Sequence, residues 1–215
     1  MTAAAVRLPV ALRLVTAGQS VAPMSAEPAS ERLPQLPRPG LLRGRGEAGL
    51  VREAQRGSED ALEELFRRHW RRAHRGAYLV VGDSAAAEDI AQEAFLAAIR
   101  ALDRFDRTRP FGPWLHRITV NRAIDFARAR KLRRESAMAV EAEDIAPVEA
   151  GLSDELMAAL ADLSPEHRAV IVLRHLLGYT PGEIGAILGL PRGTVNSRLR
   201  RALDRLRPVL EGEER

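Results

Sequence analysis

Across 215 residues the chain carries 46% hydrophobic but only 4% aromatic side chains, 29% charged residues and a formal net charge of +4. A core of that make-up rests on Leu, Ile, Val and Ala, which suits packed helices better than sheets, so the expected fold is all-α. Zero cysteines exclude disulfides and thiol redox chemistry, and the five histidines (His69, His74, His116, His167, His175) show no paired spacing with carboxylates, so neither a metal nor a cofactor is expected.

The positive charge is nearly all arginine, with Lys131 the sole lysine, and the pI lies near 10.4. Part of that bias reads as the codon habit of a GC-rich genome, so where the charges fall says more than their sum. Residues 1–46 are rich in Pro, Ala, Gly and Arg with no sustained period. Such a composition buries too little surface to offset ordering, and a disordered extension is expected. Within it, Val6–Val15 faintly echoes a signal peptide, but Arg13 interrupts a run already too short to span a bilayer. No membrane insertion is expected, and the location read from this is cytoplasmic. Met24 is a second candidate start.

Residues 47–134 carry a helical pattern. Helices are predicted near Leu50–Arg56 and Glu59–Val81, then from an Asp83–Ser84 cap to about Leu102, with Ile90, Ala94, Ala97, Ala98 and Ala101 at helical spacing. Phe105–Pro113 reads as a loop. A fourth helix is expected from Trp114 to about Arg133, with Leu115, Ile118, Ala123 and Phe126 facing inwards. Periodicity is lost over residues 135–151, where Glu141, Glu143, Asp144 and Glu149 mark a flexible linker. A second helical domain is expected over residues 152–210, followed by a tail at 211–215. Its predicted helices are Ser153–Ala161, Pro165–Leu177, Pro181–Leu188 and Thr194–Leu210. Ser164 before Pro165 is a strong start signal, and Thr180 with Glu183 three residues on has capping-box spacing.

The stretch from Thr180 to Ala202 has the layout of a helix-turn-helix: a short scaffold helix, a tight turn, and a second helix with one apolar and one polar face. Ile184, Ile187 and Leu188 supply the scaffold's buried face. Gly189 can take the left-handed conformation that ends that helix, and Pro191 prevents its continuation. In the last helix Val195, Leu199, Ala202, Leu203 and Leu206 form an apolar stripe. Asn196, Ser197, Arg200, Arg201 and Asp204 fall on the other side, free to enter a major groove. Six Arg and one acid lie between Arg192 and Arg207. Arg can pair bidentately with guanine and Asn with adenine, while phosphates attract any of these guanidinia. Arg205 and Arg207 are also explained as a solvated helix end that complements the helix dipole.

The segment Leu163-Ser-Pro-Glu-His-Arg-Ala-Val-Ile-Val-Leu-Arg174, followed by Tyr179-Thr and the helix-turn-helix, resembles region 4 of extracytoplasmic-function (ECF) sigma factors of bacterial RNA polymerase. That resemblance implies recognition of the −35 promoter element by Asn196, Ser197, Arg200 and Arg201, with Arg198 as a phosphate partner. LuxR-type response regulators end in a similar reader, but they need an α/β receiver, and no such alternation exists here.

Upstream, Leu62-Glu-Glu-Leu-Phe-Arg-Arg-His-Trp70, Ala87-Glu-Asp-Ile-Ala-Gln-Glu-Ala-Phe95, Phe105, and Trp114-Leu-His-Arg-Ile-Thr-Val-Asn121 resemble region 2 of the same family. From Asp83 to Asp103 there are five acids and one Arg. The resemblance makes this acidic helix the surface that docks on the β′ clamp helices of core RNA polymerase, with Asp89, Gln92 and Glu93 as candidate contacts. A solvated helix face is the plainer reading of any one of them. From Arg104 to Arg134 the balance reverses, with ten Arg or Lys against Asp106 and Asp125. Such a segment can follow a single strand as the duplex opens. In the family, a flipped base is captured beneath the loop before this helix. The matching positions are Phe105, the loop Arg107–Phe111 with Arg109, and Asn121, whereas Trp114 reads as a core anchor. Pro113 stands where the family often has Thr or Ser, so the −10 sequence read by this chain does not transfer.

The expected protein is thus two small helical domains joined by a linker. Its implied partners are core RNA polymerase (β′ clamp helices and β flap), promoter DNA and an anti-sigma factor. No nucleophile–base pair, phosphate-binding Gly loop or metal constellation argues for an enzyme. The alternative is a helix-turn-helix regulator that acts on duplex DNA without polymerase.

Overall fold

A computed structural model of the chain describes residues 46–136 and 153–213. The expected extension and linker lie almost wholly outside those residues, whereas residues 211–213 of the expected tail lie inside them and are helical. Among the described residues there are eight α-helices and no strand, in line with the all-α expectation from the low aromatic content. They fall into two compact units that divide between Arg67 and Arg68.

The first unit holds α1 (Glu47–Ala54) and the opening turns of α2 (Glu59–Val81). Ser58 starts α2, its hydroxyl accepting from the Ala61 N–H at 3.3 Å. Glu64 is buried but satisfied, since both of its oxygens accept from the Arg67 guanidinium, at 2.7 and 2.8 Å.

The second unit contains the rest of α2, then α3 (Ser84–Ala101), a 3₁₀ turn (Leu102–Arg104) and α4 (Phe111–Ser136). Asp83 caps α3 by accepting from the Ala86 N–H at 3.0 Å. Its inner face is mostly alanine (Ala87, Ala91, Ala94, Ala98) with Ile90 and Phe95, and small side chains let α4 pack closely against it. The sequence places the start of α4 at Trp114, whereas the helix begins three residues earlier. Pro113 falls in its first turn, where a missing N–H costs no helical bond. Leu115 and Ala123 are buried as expected, but Ile118 and Phe126 are only half-buried. His116 and Thr119 take inner positions instead. The Thr119 hydroxyl is satisfied by donating to the Leu115 carbonyl at 3.1 Å.

The remaining helices are α5 (Asp154–Ala161), α6 (Pro165–Ile171), α7 (Pro181–Leu188) and α8 (Arg192–Glu213). Ser153 and Ser164 cap α5 and α6 through their hydroxyls. α6 continues into one π turn, Val172–Leu176, in which the Leu177 N–H reaches the Val172 carbonyl at 3.0 Å. α8 runs through Pro208 to Glu213, past its predicted end at Leu210. One apolar cluster joins Ala77–Val81, Ala87 and Ile90 with Val120, Ala123 and Ile124, and with Leu160, Leu173, Ile184, Val195 and Leu206. Each fully buried Leu, Ile or Val in it stabilises the fold by about 1.5–3 kcal/mol.

Candidate nucleic-acid interface

The helix-turn-helix is built from local rules. A complete capping box starts α7: the Thr180 hydroxyl accepts from the Glu183 N–H at 3.4 Å, and the Glu183 carboxylate accepts from the Thr180 N–H at 2.8 Å. Those hydrogen bonds from the Thr180 N–H and hydroxyl hold Glu183 below the usual carboxylate range. At the other end Gly189 adopts φ 68° and ψ 34°, a left-handed turn that the Leu190 N–H locks by bonding to the Gly185 carbonyl at 2.9 Å. Gly185 has a second reason to lack a side chain, because a Cβ there would stand 2.6 Å from the Leu190 carbonyl oxygen.

This turn delivers α8 with Val195, Leu199, Ala202 and Leu206 buried beneath it. Asn196, Arg200 and Arg201 are exposed, while Ser197 and Arg198 are half-buried. The Ser197 hydroxyl donates to the Thr194 carbonyl at 2.9 Å, which leaves it an acceptor towards any ligand. Arg207 is paired with Asp204 at 2.8 Å, in keeping with a solvated helix end. Below the helix, burial and then the Arg198 and Arg205 guanidinia push His167 below the usual histidine range. Its Nδ1 lies 2.7 Å from the Ser164 hydroxyl.

In the basic segment an aromatic floor lies beneath exposed arginines. Phe105 and Phe111, expected among the strand contacts, are buried at 8% and 4% exposure. With Trp114 they form an aromatic cluster whose ring centroids are 4.5, 5.6 and 5.9 Å apart. Burial of apolar rings outweighs display, so these two support the loop from below. Arg107 and Arg109 stand exposed above them. Asp106 shapes the loop by accepting from the Thr108 N–H at 2.9 Å and from its hydroxyl at 2.7 Å, with Arg109 3.6 Å away.

Asn121 lies on the outer face of α4, in an open groove of about 560 Å³ lined by Trp114, Arg117, Ile118, Arg122 and Asp125. Sequence reasoning singled out Asn121 but not its neighbours, and it assigned Trp114 to the core. Their spacing of three and four residues was the available signal. On α3, Asp89 and Glu93 are exposed one turn apart on a single face. Gln92 beside them donates to Glu88 at 3.3 Å. Glu93 also reaches Arg122 of the groove at 3.9 Å, so the acidic face and the basic groove are neighbours.

The comparisons follow the same division. Residues 65–133 match the family model for Sigma-70 region 2, and residues 159–208 match that for Sigma-70 region 4. The ECF RNA polymerase sigma factor SigW of Bacillus subtilis is 32% identical over 176 residues, covering 74% of this chain and 94% of that protein. The chain belongs to the ECF sigma factors. SigE of Mycolicibacterium smegmatis, another ECF sigma factor, is 40% identical over 157 residues, which cover 69% of this sigma factor but 61% of SigE. Among solved structures, CnrH in complex with the cytosolic domain of CnrY superposes with a TM-score of 0.58 at 30% identity, covering 77% of this chain and 97% of CnrH. Membership makes this sigma factor a transcription initiation factor and not an enzyme. Among its described residues no group of side chains could hold a metal, and no helix is long and apolar enough to cross a membrane.

Proposed function

We propose that this sigma factor divides promoter recognition between residues 47–134 and residues 152–210. The first domain docks on the β′ clamp helices of core RNA polymerase through Asp89, Gln92 and Glu93 on α3. It holds the opened −10 strand along the α4 groove, where the Asn121 amide reads a base edge. Arg107 and Arg109 attract the phosphates, and Phe105 and Phe111 fix the loop that carries them. The second domain reads the −35 duplex with Asn196, Ser197, Arg200 and Arg201, while Arg198 contacts phosphate and the β flap holds the domain on the enzyme.

The observation that carries this reading is the pairing, in one chain, of an exposed acidic helix face with two basic surfaces of different shape. One is an open groove of about 560 Å³ along α4, the other the exposed polar face of α8. A duplex-only regulator needs just the second. An anti-sigma factor fits the same reading, since the sigma factor RpoE of Bartonella quintana, 25% identical with a TM-score of 0.60, is seen in complex with the anti-sigma factor NepR. The site of action is the cytoplasm, where the polymerase is. The test is capture of core RNA polymerase by the tagged chain, followed by run-off transcription. Promoter binding that is equally tight without core, and no initiation with it, would reject the sigma reading in favour of a duplex-binding regulator.

A further inference from the structure

We propose that the outer face of α2 is a further nucleic-acid contact, on which Arg68, Arg71 and Arg72 take the phosphates of the opened strand beyond the Arg107–Phe111 loop. The inference deepens the strand-holding reading above and rests on it.

Between Leu65 and Val81, α2 carries five arginines and no acid. Arg68, Arg71, Arg72 and Arg75 recur at spacings of three and four residues, which gathers them on one face over about two turns. Ala73 and Ala77, on the opposite face, are buried. Arg71 and Arg72 are exposed, and neither is paired with a carboxylate among the described residues. Guanidinia elsewhere in the chain do find carboxylates: Arg67 meets Glu64, Arg128 meets Glu166 and Arg130 meets Asp83.

Neither ordinary role of a surface arginine on a helix accounts for this stripe. The last turn of α2 holds no basic residue, so the charges do not complement the helix dipole. Arg68 with Arg72, and Arg71 with Arg75, are like charges four residues apart, an arrangement that weakens a helix. An anion from outside the chain relieves that repulsion.

The position of the stripe selects the anion. His69, on its flank, has its ring 5.3 Å from that of Phe111 at the start of α4. A Cβ at residue 112 would stand 3.2 Å from the same imidazole, so glycine there lets the two helices meet closely. The other flank is turned towards α3, where the Trp70 ring lies 6.0 Å from that of Phe95. A strand that runs from Asn121 towards the start of α4 reaches Gly112 after about 14 Å, at 1.5 Å per residue, and meets α2 next. Arg68 and Arg72 then follow, about 6 Å apart along the axis of α2. Guanidinia in such a row hold phosphates without reading sequence, which suits the nucleotides beyond a captured base.

The test uses holoenzyme formed from core RNA polymerase and the full chain. Its probes are fork templates cut from a promoter located by mapping transcription start sites on overexpression. One fork ends its single strand at the −10 element, and the other carries that strand several nucleotides further. The Arg71→Ala, Arg72→Ala double variant should lose the extra affinity that the longer strand confers. Its slope of log Kd against log salt on the longer fork should fall by about 1.4, at about 0.7 for each single-strand phosphate. On the shorter fork it should match the parent. Arg71→Lys with Arg72→Lys should restore the slope, because a phosphate accepts either cation. The thermal midpoint of the alanine variant should hold or rise as like charges are removed. A slope on the longer fork equal to the parent's, or an equal fall on both forks, would overturn the proposal. So would a lowered midpoint, which makes the stripe structural, or loss of core capture, which makes it a polymerase contact. A parent that binds both forks equally would reject the strand-holding reading and this extension together. If the parent favours the longer fork and the alanine variant favours it as much, only the α2 contact fails.

Discussion

Gly185 lies so close beneath Leu190 that a Cβ would meet the Leu190 carbonyl oxygen at 2.6 Å. Contact with backbone cannot be relieved by a rotamer change, so Gly185→Ala should destabilise the helix-turn-helix despite a gain in helix propensity of about 1 kcal/mol. Overpacking of this kind costs about 1–3 kcal/mol. Thermal denaturation followed at 222 nm checks it, with Gly182→Ala as the control. Gly182 meets nothing within 4 Å, and its replacement should be neutral or slightly stabilising.

Thr180→Ala should cost the start of α7 about 1 kcal/mol. Because Glu183 is held below the usual carboxylate range by its hydrogen bonds from Thr180, its contribution has a defined sign. The stabilisation is fully present above the unfolded carboxylate range and is lost as the pH falls through the lowered folded value. Stability measured from pH 7 down to pH 3 should therefore fall less steeply in Glu183→Gln than in the parent. An identical slope in the two proteins would contradict the capping role.

Arg200→Ala and Arg201→Ala should weaken promoter recognition and leave core binding intact, each losing about 1–3 kcal/mol if it pairs with a base. Arg198→Ala should weaken all sequences evenly and reduce the salt slope by about one. Ser197→Ala should matter less than either, because its hydroxyl already donates to Thr194. Fluorescence anisotropy on matched and mismatched −35 duplexes at several salt concentrations separates the three patterns.

Phe105→Ala and Asn121→Ala should part company. Emptying the Phe105 site removes a buried ring and should cost about 3–5 kcal/mol. Asn121→Ala, on the open groove, should leave the unfolding midpoint nearly unchanged and instead slow strand opening, as read by permanganate reactivity of the −10 region. Comparable losses of stability in both would place Asn121 in the core.

What could be read from sequence was what depends on near neighbours. The Ser164 and Thr180 caps and the Gly189 turn are fixed by residues three to five apart, and each formed where the spacing indicated. The apolar stripe of α8 was legible for the same reason. His116 was not, because what makes an inward imidazole tolerable is a hydroxyl 63 positions away. Nor was the burial of Phe105 and Phe111, since a ring's exposure depends on what closes over it, and here the rings close over one another. The start of α4 differs because Phe105–Pro113 reads as a loop, whereas a proline in a helix's first turn removes no helical bond.

The π turn at Val172–Leu176 amounts to one amino acid more than a regular helix would hold between the same two points. An α-helix turns about 100° per residue, so shortening this stretch by a single residue would swing everything after it around the barrel of the helix by that angle. Tyr179 would then point away from His116, with no side chain altered. The helix-turn-helix is thus aimed by a count as much as by a composition. Comparisons between relatives that score substitutions alone, and treat a one-residue gap here as noise, would miss the change with the largest geometric effect.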